Sequence, residues 1–169
     1  MTIPLPIETE RLVIRPFAPG DVDAMARIYG DPQVMEHVCL GVLDRAETTA
    51  LLEQYGRDQA ERGFSTWAVV EKPGGAVVGD VGFGVYPETG EPELGYTLAA
   101  SAWGRGYGLE AASACVAAAF AHLTHRRLVA KVELGNERSL RLAERLGMRP
   151  VETIDFAGHP HVLLALERD

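Results

Sequence analysis

Three glycines at alternate positions, Gly104, Gly106 and Gly108, stand directly before a stretch with helical periodicity. Glycine adopts backbone conformations that other residues avoid, so three glycines within five residues predict a tightly shaped loop. Such a loop, followed by a helix N-terminus, presents successive backbone N–H groups that can bind phosphate oxygens. The segment 102–111 therefore predicts a site for part of a nucleotide, with a glycine-rich surface turn as the alternative.

Two common phosphate-binding loops do not match this segment. The loop of nucleoside triphosphatases has the pattern Gly-x-x-x-x-Gly-Lys-Ser/Thr, and no lysine follows these glycines. The dinucleotide fingerprint, Gly-x-Gly-x-x-Gly, opens a βαβ unit and has an acidic residue about 20 positions further on. Here the spacing is Gly-x-Gly-x-Gly, and the loop lies beyond the middle of the chain. The sequence therefore excludes both of these nucleotide-binding classes.

The composition of the 169 residues is that of one globular domain, with 47% hydrophobic and 24% charged residues. No apolar run approaches the about 20 residues that span a bilayer. The first ten residues lack the basic and apolar regions of an export signal. The two cysteines, Cys39 and Cys115, are too few for a disulfide scaffold and are typical of reduced thiols. We therefore expect a cytoplasmic protein without a membrane partner.

The formal net charge of −8 bears on the partners of the chain. Because an acidic surface has no general attraction to phosphates, we expect no nucleic-acid partner. A cationic partner such as an amine would be favoured at long range, although a charge of this size can also serve solubility alone. No heptad or long exposed apolar run indicates the oligomeric state, so a homodimer stays open.

Hydrophobic periodicity predicts an α/β domain with the element order β-α-α-β-β-β-α-β-α-β-β. The predicted strands lie at 11–16, 65–70, 76–83, 91–99, 127–134, 148–156 and 162–167. The predicted helices lie at 21–29, 45–61, 109–123 and 136–146, and Asp31-Pro32 is expected to break the first helix. Because strands cluster in the middle and at the end, the sheet should be mixed and packed in layers with the helices.

This order of features resembles the GCN5-related N-acetyltransferase (GNAT) superfamily. The closest resemblance is to its RimJ/RimL branch, which includes enzymes that acetylate N-terminal amines of ribosomal proteins. Matching segments occur almost from end to end, at 8–17, 31–35, 93–98, 103–111, 136–139 and 144–148. The superfamily pattern begins the glycine loop with Gln or Arg, whereas Trp103 stands there in this chain. An aromatic residue at that position resembles the RimJ/RimL branch.

The resemblance implies a single GNAT domain over residues 1–169, with acetyl-CoA as co-substrate. The fold would be a mixed, largely antiparallel sheet with helices on both faces, splayed open between strands 93–98 and 127–134. The pantetheine arm would lie in this opening, paired with the backbone of Tyr96 and Leu98 and in contact with Asn136. The diphosphate would bind the loop residues Trp103, Gly104, Arg105, Gly106, Tyr107 and Gly108. The Arg105 side chain would either supplement these N–H groups or stay solvated.

Acetyl transfer to an amine requires loss of an ammonium proton, aligned reactants and a leaving thiolate. Glu93 lies on a strand that would line the opening, and the family sometimes uses an acidic residue there. We predict Glu93 as a base acting through water, with positioning of the acceptor ammonium, or a side chain facing away, as alternatives.

Ser139, from the Asn-x-x-Ser motif, resembles a serine that the RimJ/RimL branch places near the CoA sulfur, and it is the predicted acid. The tyrosine that many superfamily members carry four residues later is replaced by Ala143. The alternative is a purely structural role in the helix cap that begins at Asn136.

We therefore expect direct transfer of an acetyl group from acetyl-CoA to a primary amine, without a covalent enzyme intermediate. The acceptor could be a protein N-terminus, a small cationic molecule or an amino acid derivative. The alternative is a CoA-binding sensor, or a degenerate domain, without turnover. No metal is expected, because His159 and His161 fall in a predicted hairpin turn without further ligands. His37 falls in a segment that shapes the acceptor pocket in this family, with a lone surface histidine as the simpler interpretation.

Overall fold

The computed structural model describes residues 1–168 of the chain, and its centre is one eight-stranded sheet. The strands are β1 (Ile7–Glu8), β2 (Leu12–Arg15), β3 (Thr66–Glu71), β4 (Val77–Val85), β5 (Pro92–Leu98), β6 (Arg127–Glu133), β7 (Arg149–Phe156) and β8 (His159–Glu167). The helices are α1 (Val22–Tyr29), α2 (Pro32–Met35), α3 (Arg45–Arg62), α4 (Tyr107–His122) and α5 (Glu137–Arg145). Within residues 1–168, no helix has the length and apolar character needed to cross a bilayer.

The sheet has the order β1-β2-β3-β4-β5-β6-β8-β7, and its strands are antiparallel except for β5 and β6. β5 and β6 run parallel and share a single register pair, Glu93 with Val129. Beyond Glu93 the two strands diverge, so the sheet is open between them. The predicted fold, with its splayed sheet, is confirmed.

Helices cover both faces of the sheet, as neighbouring residues of β4 show. Val81 belongs to the core cluster that contains α4, whereas the carboxylate of its neighbour Asp80 accepts a hydrogen bond from Tyr29 of α1. Successive side chains of a strand point to opposite faces, so α1 and α4 lie on opposite sides.

α4 packs on the sheet mainly through small residues. Ala111, Ala112, Cys115 and Ala119 are buried, whereas the larger Phe120 is only partly buried. Small side chains let the helix approach the sheet closely. Burial raises the pKa of Cys115 to about 12, which keeps its thiol neutral, in agreement with a packing role.

Two short elements were not predicted. Asp31 does not simply end α1, because its side chain accepts the N–H of Gln33 at 2.9 Å and caps α2. Pro32 then occupies the first helical position, where a missing N–H costs nothing. β1 is too short for a periodic pattern and is defined by pairing with β2.

The prediction that His159 and His161 lie in a hairpin turn was wrong, because both belong to β8. The turn consists of Ala157 and Gly158 alone, which have φ angles of 54° and 79°. Two consecutive residues with positive φ close a hairpin directly, and the strand therefore begins earlier. As a result, His161 is buried in the sheet.

Candidate active site

Two cavities meet at the opening between β5 and β6. The first, here called the loop cavity, has a volume of about 420 Å³ and lies against the glycine loop and α5. The second, called the strand cavity, has a volume of about 280 Å³ and lies between β5 and β6. Six residues line both cavities: His37, Val38, Tyr96, Thr97, Asn136 and Ser139. A ligand in one cavity can therefore contact a ligand in the other at this junction.

The glycine loop lines the loop cavity with Gly104, Gly106, Tyr107 and Gly108. Gly104 and Gly106 have φ angles of +71° and +78°, which side-chain-bearing residues rarely adopt. The backbone N–H groups of residues 104–108 have no hydrogen-bond partner within the described residues 1–168. The last of them open α4, whose N-terminus adds a favourable dipole for an anion. This arrangement fits the diphosphate of acetyl-CoA.

Gly108 serves a different purpose, since it lies in the first turn of α4. A Cβ atom at this position would lie 2.8 Å from the Cδ1 atom of Leu142. The absence of a side chain thus lets α4 and α5 approach each other beside the cavity.

Three arginines of α5 make the loop cavity basic although the chain as a whole is acidic. Arg138, Arg141 and Arg145 line this cavity. The guanidinium of Arg138 stacks 3.3 Å from the ring centroid of Trp103. Their spacing of three and four residues along one helix face was the sequence signal that could have identified them, and it was missed. These charges suit the phosphates of CoA.

The Arg105 side chain points to Glu71, with its Nη2 atom 2.6 Å from Glu71 Oε1. Tyr107 donates its hydroxyl to the same oxygen, and these hydrogen bonds, that of Tyr107 first, lower the pKa of Glu71. The Arg105 carbonyl accepts from Arg11 at 2.8 Å. These contacts hold the loop in shape, and a direct contact between Arg105 and the diphosphate stays a prediction.

The backbone of β5 faces the opening at the two predicted positions. Ala99 donates its N–H to Val78 of the neighbouring β4. Because hydrogen-bonding direction alternates along an antiparallel strand, the backbone groups of Leu98 and Tyr96 point the other way, toward the opening. The Leu98 carbonyl already accepts the indole N–H of Trp103 at 3.0 Å. The backbone of Tyr96 is thus the better candidate for pairing with pantetheine.

A tyrosine–serine pair marks the junction of the cavities. The hydroxyl oxygens of Tyr96 and Ser139 are 2.6 Å apart, and burial raises the pKa of the Tyr96 phenol. Asn136 caps α5 by accepting the backbone N–H of Ser139 at 3.3 Å, so the Ser139 hydroxyl is not needed for the cap. Sequence reasoning noted that position 143 lacks a tyrosine but missed that β5 brings a phenol beside Ser139.

The strand cavity contains an ion pair. The Oε1 atom of Glu93 lies 3.3 Å from the Nζ atom of Lys131, which also lies 3.5 Å from the ring centroid of Phe156. Burial raises the pKa of Glu93, and the nearby Lys131 ammonium opposes this rise. The Glu93 side chain therefore lies within the opening, and the alternative that it faces away is excluded.

Glu133, at the end of β6, lies between two histidines. Its Oε2 atom is 3.5 Å from His37 Nδ1, and its Oε1 atom is 3.6 Å from His159 Nδ1. His37 lines both cavities, so it is not the lone surface histidine of the simpler interpretation. Within residues 1–168, no group of three or more His, Cys, Asp or Glu side chains is arranged to hold a metal ion.

Fold and site together define an acyltransferase with a coenzyme A donor. Residues 11–149 match the family model described as "Acetyltransferase (GNAT) domain". The chain belongs to the GNAT family of acetyl-CoA-dependent acetyltransferases.

Several known proteins are similar to this chain in sequence or in fold. The uncharacterised protein YkkB of Bacillus subtilis (strain 168) is 32% identical over 131 residues, which cover 75% of this chain and 74% of YkkB. An acetyltransferase structure from Agrobacterium tumefaciens str. C58 has 28% identity and a TM-score of 0.84, covering 99% of this chain and 96% of the other. The spermidine N-acetyltransferase of Vibrio cholerae, solved with CoA and spermine, has 14% identity and a TM-score of 0.78, covering 95% and 97%. At that identity the last comparison concerns the fold alone.

Proposed function

We propose that this chain transfers the acetyl group of acetyl-CoA directly to a primary amine. The observation that carries this proposal is the junction of the two cavities, with unpartnered N–H groups on one side and carboxylates on the other. Acetyl-CoA would occupy the loop cavity, with its diphosphate on the N–H groups of 104–108 and its pantetheine arm along Tyr96 and Asn136. The bound thioester supplies an activated acetyl group at the junction.

The acceptor would occupy the strand cavity. Glu93 and Glu133 bring two carboxylates to this cavity, and only Lys131 opposes them with a lysine or arginine charge. An ammonium group is therefore the favoured guest, and the net charge of −8 attracts cations from a distance. The fold shared with a spermidine N-acetyltransferase is compatible with a small cationic acceptor. The second acceptor class is a protein N-terminus, because the aromatic residue at position 103 resembles the RimJ/RimL branch, which includes enzymes that acetylate N-terminal amines.

We also propose a cytoplasmic location. Both cysteines, Cys39 and Cys115, are free thiols, as expected in a reducing compartment.

In the proposed reaction, the amine nitrogen bonds to the acetyl carbonyl carbon and the carbon–sulfur bond breaks. The thiolate takes up a proton, for which the Ser139 hydroxyl is the proposed donor. The Tyr96 hydroxyl lies at hydrogen-bond distance from the Ser139 hydroxyl and can replace the proton that Ser139 gives away. No covalent bond to the protein forms.

The proposal is tested by measuring thiol release from acetyl-CoA with a panel of amines. Polyamines, amino acid derivatives and short peptides with free N-termini should be included. Release that depends on an amine, with an acetylated product of the expected mass, supports the proposal. Saturable binding of acetyl-CoA in calorimetry without thiol release from any amine would instead favour a CoA-binding sensor.

Replacing Ser139 by alanine is expected to lower kcat about tenfold while the acetyl-CoA Kd stays unchanged. Asn136 still accepts the backbone N–H of residue 139 in this variant, so the α5 cap is kept and only the hydrogen bond to Tyr96 is lost. Ser113, which is exposed on α4, provides the matched control when it is changed to alanine. Unchanged kcat in the Ser139 variant would leave this hydroxyl without a role in proton transfer.

Replacing Glu93 by glutamine is expected to raise KM for the amine about tenfold, with a smaller change in kcat. The Lys131 ammonium stabilises the ionised carboxylate, which suits Glu93 better to attract an ammonium than to take up its proton. Glu91, which pairs with Arg127 instead, is the matched control as Glu91→Gln. A loss confined to kcat would point back to the predicted role of Glu93 as base.

A further inference from the structure

The imidazole of His37 occupies the place where both cavities meet. His37 follows α2, and its ring lines the loop cavity and the strand cavity. Its Nδ1 atom is buried and has no hydrogen-bond partner among residues 1–168. The carboxylate of Glu133 lies 3.5 Å from that nitrogen. Buried ring nitrogens are normally hydrogen-bonded, so a nitrogen left without a partner next to reacting groups requires an explanation.

We propose that His37 is the base that accepts the proton of the acceptor ammonium, and that Glu133 is a positioning residue for its ring. This inference rests on the proposed transfer to an amine. An imidazole that carries its proton on Nδ1, toward Glu133, has a free lone pair on Nε2. The contact of 3.5 Å is long for a hydrogen bond, and such contacts often tighten when substrate binds.

The charged groups around the junction favour His37 over Glu93 as the proton acceptor. Glu93 is paired with Lys131, so protonation of its carboxylate would break an ion pair inside the cavity. Protonation of His37 would create an ion pair with Glu133, whose other oxygen faces His159.

Two further titratable side chains, Glu36 and His161, lie in this region, and neither favours Glu93 over His37 as the proton acceptor. Glu36, whose side chain is 69% exposed, lies 3.9 Å from His37 Nε2 and would also stabilise an imidazolium. His161, also in the strand cavity, has its Nδ1 at 2.9 Å from the carbonyl oxygen of His159 and its Nε2 at 3.9 Å from the Cys39 sulfur.

The proton balance of the reaction is complete with this residue. The ammonium loses one proton to Nε2 of His37, and the neutral amine attacks the acetyl carbonyl carbon. As the carbon–sulfur bond breaks, Ser139 gives its proton to the thiolate, and the second proton of the nitrogen restores the Ser139–Tyr96 pair. The imidazolium returns its proton to solvent after the products leave. The products are the acetylated amine, the free thiol and one released proton.

The test compares His37→Gln and His37→Gly with the matched control His159→Gln. Both histidines lie beside Glu133, but His159 is 64% exposed and does not face the junction. We expect kcat/KM for the amine to fall at least about 100-fold in both His37 variants, with the acetyl-CoA Kd within twofold of wild type. Added imidazole should restore part of the rate of His37→Gly and should not accelerate the wild type. His159→Gln should stay within twofold of wild type throughout.

Three results would overturn the inference. The first is wild-type kcat/KM in His37→Gln, which removes His37 as base and leaves acetyl transfer to an amine intact. The second is a slow His37→Gly variant that binds acetyl-CoA normally but gains nothing from imidazole, because a purely structural role predicts that pattern. The third is a wild-type protein that releases no thiol with any amine, which contradicts the proposed function together with this inference.

Discussion

Replacing Gly104 by valine is expected to weaken acetyl-CoA binding at least tenfold. Gly104 has a φ of +71°, and a β-branched residue held in that region costs about 1–3 kcal/mol. The loop would relieve this strain by rotating toward negative φ, which turns the following N–H groups away from the loop cavity. Since 1.4 kcal/mol corresponds to a tenfold change in affinity, calorimetric titration with acetyl-CoA would detect the loss readily.

Gly74 provides a control with the same local strain. It lies in the turn between β3 and β4, with a φ of +83°, and a Cβ atom at either glycine would meet no atom within 4 Å. Gly74→Val should therefore lose a similar amount of stability and keep the wild-type acetyl-CoA Kd. Equal affinities in the two variants would contradict the assignment of this loop to the diphosphate.

Replacing Asp80 by asparagine is expected to remove a large pH dependence from the stability of the domain. Asp80 is buried between α1 and β5, and its Oδ2 atom accepts the Tyr29 hydroxyl at 2.5 Å. Burial raises the pKa of Asp80 from 3.8 to about 7, although hydrogen bonds from Tyr29 and Thr97 oppose this rise. The folded protein therefore binds a proton here that the unfolded chain releases near pH 4.

The sign of this effect follows from that difference. The contribution of a neutral Asp80 is fully present below about pH 4 and is lost as the pH rises through about 7. Between pH 5 and pH 8, the free energy of unfolding of the wild type should fall by on the order of 2.5 kcal/mol relative to Asp80→Asn. Urea denaturation of both proteins across this range measures the difference, in which all other titrating groups cancel.

Asp21 offers a comparison of opposite sign. Burial alone would raise the pKa of Asp21, but the Arg15 guanidinium, bound through two hydrogen bonds of 2.7 and 3.0 Å, lowers it below 3.8. The advantage of the wild type over Asp21→Asn should therefore be present above about pH 4 and decline as the pH falls.

The Asp80 prediction is contradicted if the free energy of unfolding of the wild type, relative to that of Asp80→Asn, stays constant or rises from pH 5 to pH 8. That result would show that Asp80 is ionised in the folded state.

Much of the fold could be predicted because its signals are local. The α5 helix was placed correctly by the Asn136 cap, and β6 by its alternation of apolar and polar residues. The break at Asp31-Pro32 was predicted correctly, but the short α2 helix that begins there was missed. The prediction was wrong at the last hairpin, where the turn at Ala157 and Gly158 places His161 inside the sheet.

Some residues of the candidate site could be predicted from local motifs, whereas others are brought together only by tertiary contacts. The glycine loop, Asn136 and Ser139 form short motifs, so their spacing along the chain was sufficient to single them out. The pairs that shape the chemistry join residues from distant parts of the chain. Tyr96 meets Ser139 across 43 positions, and no local pattern records such a meeting.

The sequence by itself determined the family of the domain, the glycine loop and the capped α5 helix, because each depends on backbone conformation or periodicity within a few residues. Only the tertiary structure decided which side chains meet at the opening of the sheet. There, the divergence of β5 and β6 beyond Glu93 leaves room for two ligands and brings His37 beside Glu133. The physical reason is that side-chain contacts across the opening depend on how the strands and helices pack, and packing is a property of the whole chain.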